Sequence, residues 1–184
     1  MTARRSLVIA PLDAASPDIG RSLWILEDIR ALTKQAVAGI DAAALDWTPL
    51  PALNSIGTLL AHIAGVEAGW LYIEVLEQDV PLEVAALLPS TSRDPDGHLT
   101  RVGGRAVADY LAVLDAVRAR LLAVFLPMSP AEYRRIRHLD EYDVTPEWCL
   151  YHLAEHEAAH RGELETVRTL AEAATIVGRY AQSS

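Results

Sequence analysis

The chain is predicted to be all-α, with four long helices packed as a bundle. Two observations predict this. Four segments repeat apolar residues at helical spacing, and each opens or closes on a capping residue, a glycine or a proline. At 184 residues and 51% hydrophobic content the chain can bury a full core, and one domain is expected at that length. Four amphipathic helices in one domain bury their apolar faces against one another as a bundle.

Ser16-Pro17-Asp18 opens the first helix. The hydroxyl caps, the proline suits the first turn, and the carboxylate sits at the positive end of the helix dipole. Ile19, Leu23, Leu26 and Ile29 follow at helical spacing, and Gly39 marks the stop. With two prolines so close, Leu45-Asp46-Trp47-Thr48-Pro49-Leu50-Pro51 cannot be helical throughout and reads as a structured linker. Asn54 or Ser55 caps a second helix reaching about Gln78, with Ile56, Leu59, Leu60, Ile63, Val66 and Trp70 on a wide apolar face.

The stretch from Pro81 to Gly104 holds three prolines and three glycines. It reads as a loop, with a short helical turn around Val84 to Leu88, that shapes a pocket mouth. Val107, Tyr110, Leu111, Leu114, Val117, Leu121 and Leu122 give a third helix over 105–125, ended by Pro127. Ser129-Pro130-Ala131-Glu132 begins another turn, and the charged run from Tyr133 to Tyr142 fits an extended excursion or a short hairpin. Thr145-Pro146 repeats the cap-then-proline pattern and opens a last helix through about Ala174. The chain thus divides into an N-terminal arm over 1–15, a helical domain over 16–175 and a tail over 176–184.

Sixteen basic against 25 acidic residues give a formal net charge of −9, with no long helical face that gathers Lys and Arg. That argues against a nucleic-acid partner, whose phosphates need such a face. The single cysteine, Cys149, excludes an internal disulfide framework and suits a cytoplasmic, reducing compartment. Two arginines precede an apolar run at the start of the chain, but the run is too short for a secretory core or a membrane span. No membrane association is expected.

The chemistry concentrates in His156-Glu157-Ala158-Ala159-His160-Arg161-Gly162-Glu163. Two imidazoles four residues apart on a helix project from one face and can share a metal ion. His62, mid-helix between Leu59 and Val66, is the expected third ligand, because a bundle would bring its face against the last helix. Histidines at this spacing also occur on solvated faces, and a lone His62 would suit a core position. Buried together, however, neutral imidazoles need partners and protonated ones repel, which a metal ion resolves.

His152, one turn before His156, is expected to be a pocket wall or to stand behind the ligands. Glu163 is placed to receive a ligand N–H or to approach the metal. Cys149 is read as a small buried apolar residue, and His98 and His138 as solvated loop residues.

Leu45-Asp46-Trp47-Thr48-Pro49, followed by Asn54-Ser55-Ile56-Gly57-Thr58-Leu59-Leu60-Ala61-His62-Ile63-Ala64, resembles the DinB-like superfamily of metalloenzymes, particularly its DUF664 branch. Glu155-His156-Glu157-Ala158-Ala159-His160-Arg161-Gly162-Glu163-Leu164 resembles that family's second signature. The two segments, in order and with fitting helices between them, cover most of residues 17 to 175. The resemblance implies an antiparallel four-helix bundle with a long crossover connection, and a divalent ion held by three histidines that fall on His62, His156 and His160. Many relatives carry another histidine immediately before the last ligand; here that position is Ala159, and any helper role of that imidazole is absent. The resemblance also implies thiol chemistry, since characterised relatives include S-transferases and an isomerase that use bacillithiol or mycothiol. Relatives are commonly dimeric, so a homodimer is expected.

Three protein ligands leave positions open for substrate, as in catalytic rather than structural zinc sites. An open ion lowers the pKa of a bound thiol. The expected activity is therefore a metal-dependent transfer of a low-molecular-weight thiol to a small electrophile. Trp70, Tyr72, Tyr151 and the 81–104 loop are the candidates to shape the second-substrate pocket. A metal-dependent hydrolase, with Glu163 or His152 as proton shuttle, is the enzymatic alternative. A non-enzymatic metal-binding or stress-response protein, its shell closed by His152 or Glu163, is the other. Three imidazoles suit zinc, nickel and iron alike.

Overall fold

The computed structural model describes residues 7–50, 53–89 and 92–182, with side chains to residue 176. The first six residues of the expected arm, Pro51 of the linker and the last two residues of the tail lie outside the described residues. Within them the chain is all-α, as expected, with seven α-helices and a two-stranded hairpin.

Helix α1, Pro17–Ala36, starts where Ser16 Oγ accepts from Ile19 N at 3.4 Å. The chain then turns through Gly39, whose φ of +70° suits glycine. A one-turn helix, α2 (Ala42–Asp46), ends within the first residues of the structured linker expected over 45–51, which is not helical throughout. Its Asp41 cap accepts from Ala44 N at 2.7 Å, and both prolines lie beyond its end, so nothing blocks the turn.

Helix α3, Ile56–Gly69, is capped by Ser55, which accepts from Thr58 N at 3.2 Å. It does not continue regularly to Gln78. From Trp70 to Val75 it widens into a π turn, with Leu76 N donating to Leu71 O at 3.1 Å. Glu77 then takes a left-handed φ of 55°, which stops the helix. The segment Ile56–Val75 is long and apolar enough, at a mean hydropathy of 1.3, to cross a membrane, and 56% of that window is buried inside the protein.

Short α4 (Leu82–Ala85) falls near the expected turn, and α5 (Val107–Phe125) begins where the Asp109 carboxylate accepts from Ala106 N at 3.0 Å. After α6 (Pro130–Tyr133) the charged run forms a hairpin, β1 (Arg137–His138) paired antiparallel with β2 (Asp143–Val144). Helix α7, Pro146–Gln182, runs beyond the expected end at Ala174. A lone glycine, Gly178, weakens a helix without ending it.

Helix α1 packs on α7, and α3 packs on both α5 and α7. One apolar cluster holds Leu23, Leu26, Leu71, Phe125 and Leu153; another holds Leu59, Leu60, Leu114 and Leu164. On each long helix one charged residue falls in sequence between the two clusters: Arg30, Glu67, Arg118 and Glu157, all 2–3% exposed. Residues 11–15 are tied to the helices rather than loose, because Leu12 N donates to Gly20 O at 3.1 Å and Ala15 N to Leu126 O at 2.8 Å. Only glycine permits that approach, since a Cβ on Gly20 would sit 2.3 Å from Leu12 O.

Candidate metal centre

The α3–α7 contact brings His62 against His156 and His160. His62 Nε2 lies 3.1 Å from His156 Nε2, and the His160 ring sits 4.9 Å from that of His62 and 4.4 Å from that of His156. One nitrogen from each histidine lies within 4.8 Å of the others. Burial, reinforced by the neighbouring His160 and by Arg93, lowers His62 to about 4. Burial, then His160 and His62, lowers His156 to about 3. Both rings are therefore neutral at pH 7, the form that donates a lone pair to a metal.

The surroundings leave this cluster short of partners. His62 Nδ1 and His160 Nδ1 are buried without a hydrogen bond. Glu163 Oε2 comes within 3.3 Å of His160 Nδ1, close enough for charge attraction but outside hydrogen-bond alignment. A divalent cation would take one nitrogen lone pair from each of the three half-buried imidazoles. The 3.1 Å separation also approximates that of two nitrogens each about 2.1 Å from one tetrahedral ion.

His152 stands beside the group. Its ring stacks on Trp148 at 5.1 Å with a 7° interplanar angle, lies 4.5 Å from Trp70, and is 5.8 Å from the His156 ring. Burial lowers its pKa, opposed by Glu155. Cys149 is fully buried, and burial, reinforced by Glu74, pushes its thiol up to about 12, which leaves it inert.

His98 and His138 are exposed, as expected. His138 Nδ1 meets Asp143 Oδ1 at 2.7 Å, while Asp94 Oδ1 accepts from Asp96 N and His98 N to shape an exposed turn. Asp94, Asp96 and His98 also come within metal-sharing distance, but this carboxylate already serves the turn.

Three cavities lie around these helices, and His62 lines one of them. One of 140 Å³ is lined by His62, Leu88, Pro89, Ser92 and Thr100, so the 81–104 loop does shape a mouth. Another, of 420 Å³, is lined by Asn54, Leu59, Glu163 and Thr166. The largest, 610 Å³, is walled by Trp70, Ile136, Tyr142, Val144 and Trp148. Of the aromatic residues expected at the pocket, Trp70 lines it. Tyr72 packs against the core and Tyr151, a turn-fraction away from the histidine stripe, points largely to solvent.

A family model described as Mycothiol-S-transferase matches residues 23–173, a span that includes all three histidines. The chain belongs to this family. Mycothiol-S-transferases are DinB-like, in agreement with the resemblance read from the two signature segments. A solved structure of a conserved protein from Enterococcus faecalis superposes with a TM-score of 0.61 at 18% identity, covering 83% of this chain and 95% of that one, and shows the shared fold. The probable beta-glucosidase F of Aspergillus fumigatus is 26% identical over 107 residues, 58% of this chain but 11% of that protein, so this family member spans about a tenth of that relative's length.

Sequence reasoning missed Trp148 and the buried Arg30–Glu67–Arg118–Glu157 group. Trp148 carried a signal: it lies four residues before His152, on the same stripe of α7. The buried charges carried one too, since each occupies a core-facing position of an otherwise apolar helix face.

Proposed function

We propose that this protein is a metal-dependent S-transferase that conjugates a low-molecular-weight thiol to an electrophilic acceptor, mycothiol being the thiol the family's description names. His62, His156 and His160 would hold the divalent ion, zinc, nickel or iron. When bound, the ion supplies a Lewis acid that lowers a thiol's pKa and leaves positions free for substrate. Glu163 favours one orientation of the His160 ring through its charge. His152, packed between Trp70 and Trp148, walls the site.

The observation that carries this reading is the convergence of three half-buried histidines, each with a nitrogen within 4.8 Å of the others, inside a mycothiol-S-transferase family match. Work on a free thiol suits a reducing compartment, and so does the lone cysteine. The test is thiol loss against an aryl chloride, using protein purified without an affinity tag. Zinc, nickel or iron should each support turnover to different extents, a chelator should abolish it, and the optimum should lie below the free thiol's pKa of about 8.5. Metal-independent conjugation, or cleavage of esters or amides in its place, would overturn the reading.

A further inference from the structure

The 610 Å³ cleft lies beyond His152 from the histidine group, with Trp148 in its wall. Trp70 comes from the π turn, Trp148 from the first turn of α7, and Ile136, Tyr142 and Val144 from the hairpin and its flanks. Ile136, Tyr142 and Trp148 are 50%, 43% and 45% exposed. Three large apolar side chains thus face solvent within one concavity, and its volume is that of a small-ligand site.

The polar groups at this cleft are already engaged. The Tyr142 hydroxyl donates to Glu74 at 3.0 Å, Asp143 holds His138 at 2.7 Å, and Thr145 Oγ1 accepts from Trp148 N at 3.2 Å. No Lys or Arg stands among the described lining residues. An anionic ligand would meet the Asp143 carboxylate and no cation here, whereas a flat apolar group would gain contact with ring faces. The smaller cavity, beside His62, is left for the sulfur end of the thiol.

The cleft's walls are fixed in place. Arg137 is 1% exposed, donates twice to Val75 O at 3.2 and 3.1 Å, and reaches Glu132 O and Arg135 O. It therefore ties the hairpin to the end of the π turn, with the Trp70 and Tyr142 rings 6.2 Å apart. From the cleft, rings run without a break through Trp148 and His152 to His156.

We infer that this cleft seats the flat aromatic portion of the electrophilic acceptor, with the reactive carbon at the His152 end. The inference rests on the transferase reading. With an aryl chloride, the thiolate sulfur supplies the electron pair of the new C–S bond. The C–Cl bond breaks, chloride leaves with its pair, and the thiol proton passes to solvent.

The test measures binding and turnover separately. The uncharged fluorophore N-phenyl-1-naphthylamine is titrated into the full chain, and KM is measured for both mycothiol and an aryl chloride. Trp148→Ala and, on the opposite wall, Ile136→Ala should each weaken fluorophore binding and raise the acceptor KM, by about tenfold for the tryptophan. The mycothiol KM should stay within about twofold, a change too small to reflect a lost binding contact. Both side chains are half-exposed, so the variants should fold.

Turnover with an unchanged acceptor KM, or a raised mycothiol KM, would overturn the cleft assignment alone. Intact fluorophore binding without any turnover would overturn the transferase reading and the acceptor role with it. Fluorophore affinity that falls as protein concentration rises would show a second copy of the chain in the cleft, and would also overturn the assignment.

Discussion

His62 Nε2 and His156 Nε2 lie 3.1 Å apart although the residues are 94 positions apart in the chain. The helices that carry them are tied by a buried ring of charge. Glu67 follows His62 on α3 and Glu157 follows His156 on α7. Arg30 reaches Glu157 at 2.8 Å and Glu67 at 2.6 Å, while Arg118 reaches Glu67 at 2.8 Å and Glu157 at 3.1 Å. Each arginine also donates to a backbone carbonyl, Arg30 to Leu114 and Arg118 to Leu26. The two non-ligand helices thereby fix the register of the two ligand helices.

Removing one member of that ring leaves a buried charge unpaired. Glu157→Ala or Arg118→Ala should therefore cost about 3–5 kcal/mol of stability. Lys34→Ala, which breaks the exposed Lys34–Asp115 pair, should cost less than about 1 kcal/mol. Urea denaturation of the three variants checks the contrast, and equal losses would contradict it.

The metal-free protein should lose stability on acidification. Burial and then His160 hold folded His62 and His156 at about 4 and 3, below the 6.5 of an unperturbed histidine. Between those limits the unfolded chain binds protons that the folded chain refuses, so unfolding becomes easier as pH falls from 6.5 and the effect levels off below the folded values. Thermal melts from pH 7 to pH 4 should show the decline. A variant carrying both His62→Ala and His156→Ala should flatten it, and an unchanged slope would contradict the assignment.

Glu163→Gln should weaken metal binding by about tenfold, because the charge beside His160 no longer orients the ring. His98→Ala and His138→Ala should leave affinity unchanged. Competition against a chromogenic chelator measures all three, and a large loss in either His98→Ala or His138→Ala would contradict the placement of the site.

Gly20→Ala should destabilise the protein by about 1–3 kcal/mol despite alanine's better helix propensity, since its Cβ would press on Leu12 O. A raised melting temperature would show that residues 11–15 do not lie against α1.

The helices were legible because their caps are local: Ser16, Ser55, Ser129 and Thr145 each bond a backbone N–H three residues on. The histidine group was legible for a related reason, since spacing on α7 fixes two rings on one face and His62 lies in the apolar face of α3. The π turn was not, because it accompanies a contact between Arg137 and Val75 O across 62 residues. The charged ring was half legible. Arg30 continues the core positions of Leu23 and Leu26, but which carboxylates it meets depends on how four helices come together.

The most direct measurement is the metal content, by elemental analysis, of protein purified without an affinity tag, for the natural sequence and for His62→Ala, His156→Ala and His160→Ala. The natural sequence should carry about one divalent ion per chain, and each substitution should remove most of it. Full occupancy retained in all three variants would show that these histidines do not hold the ion.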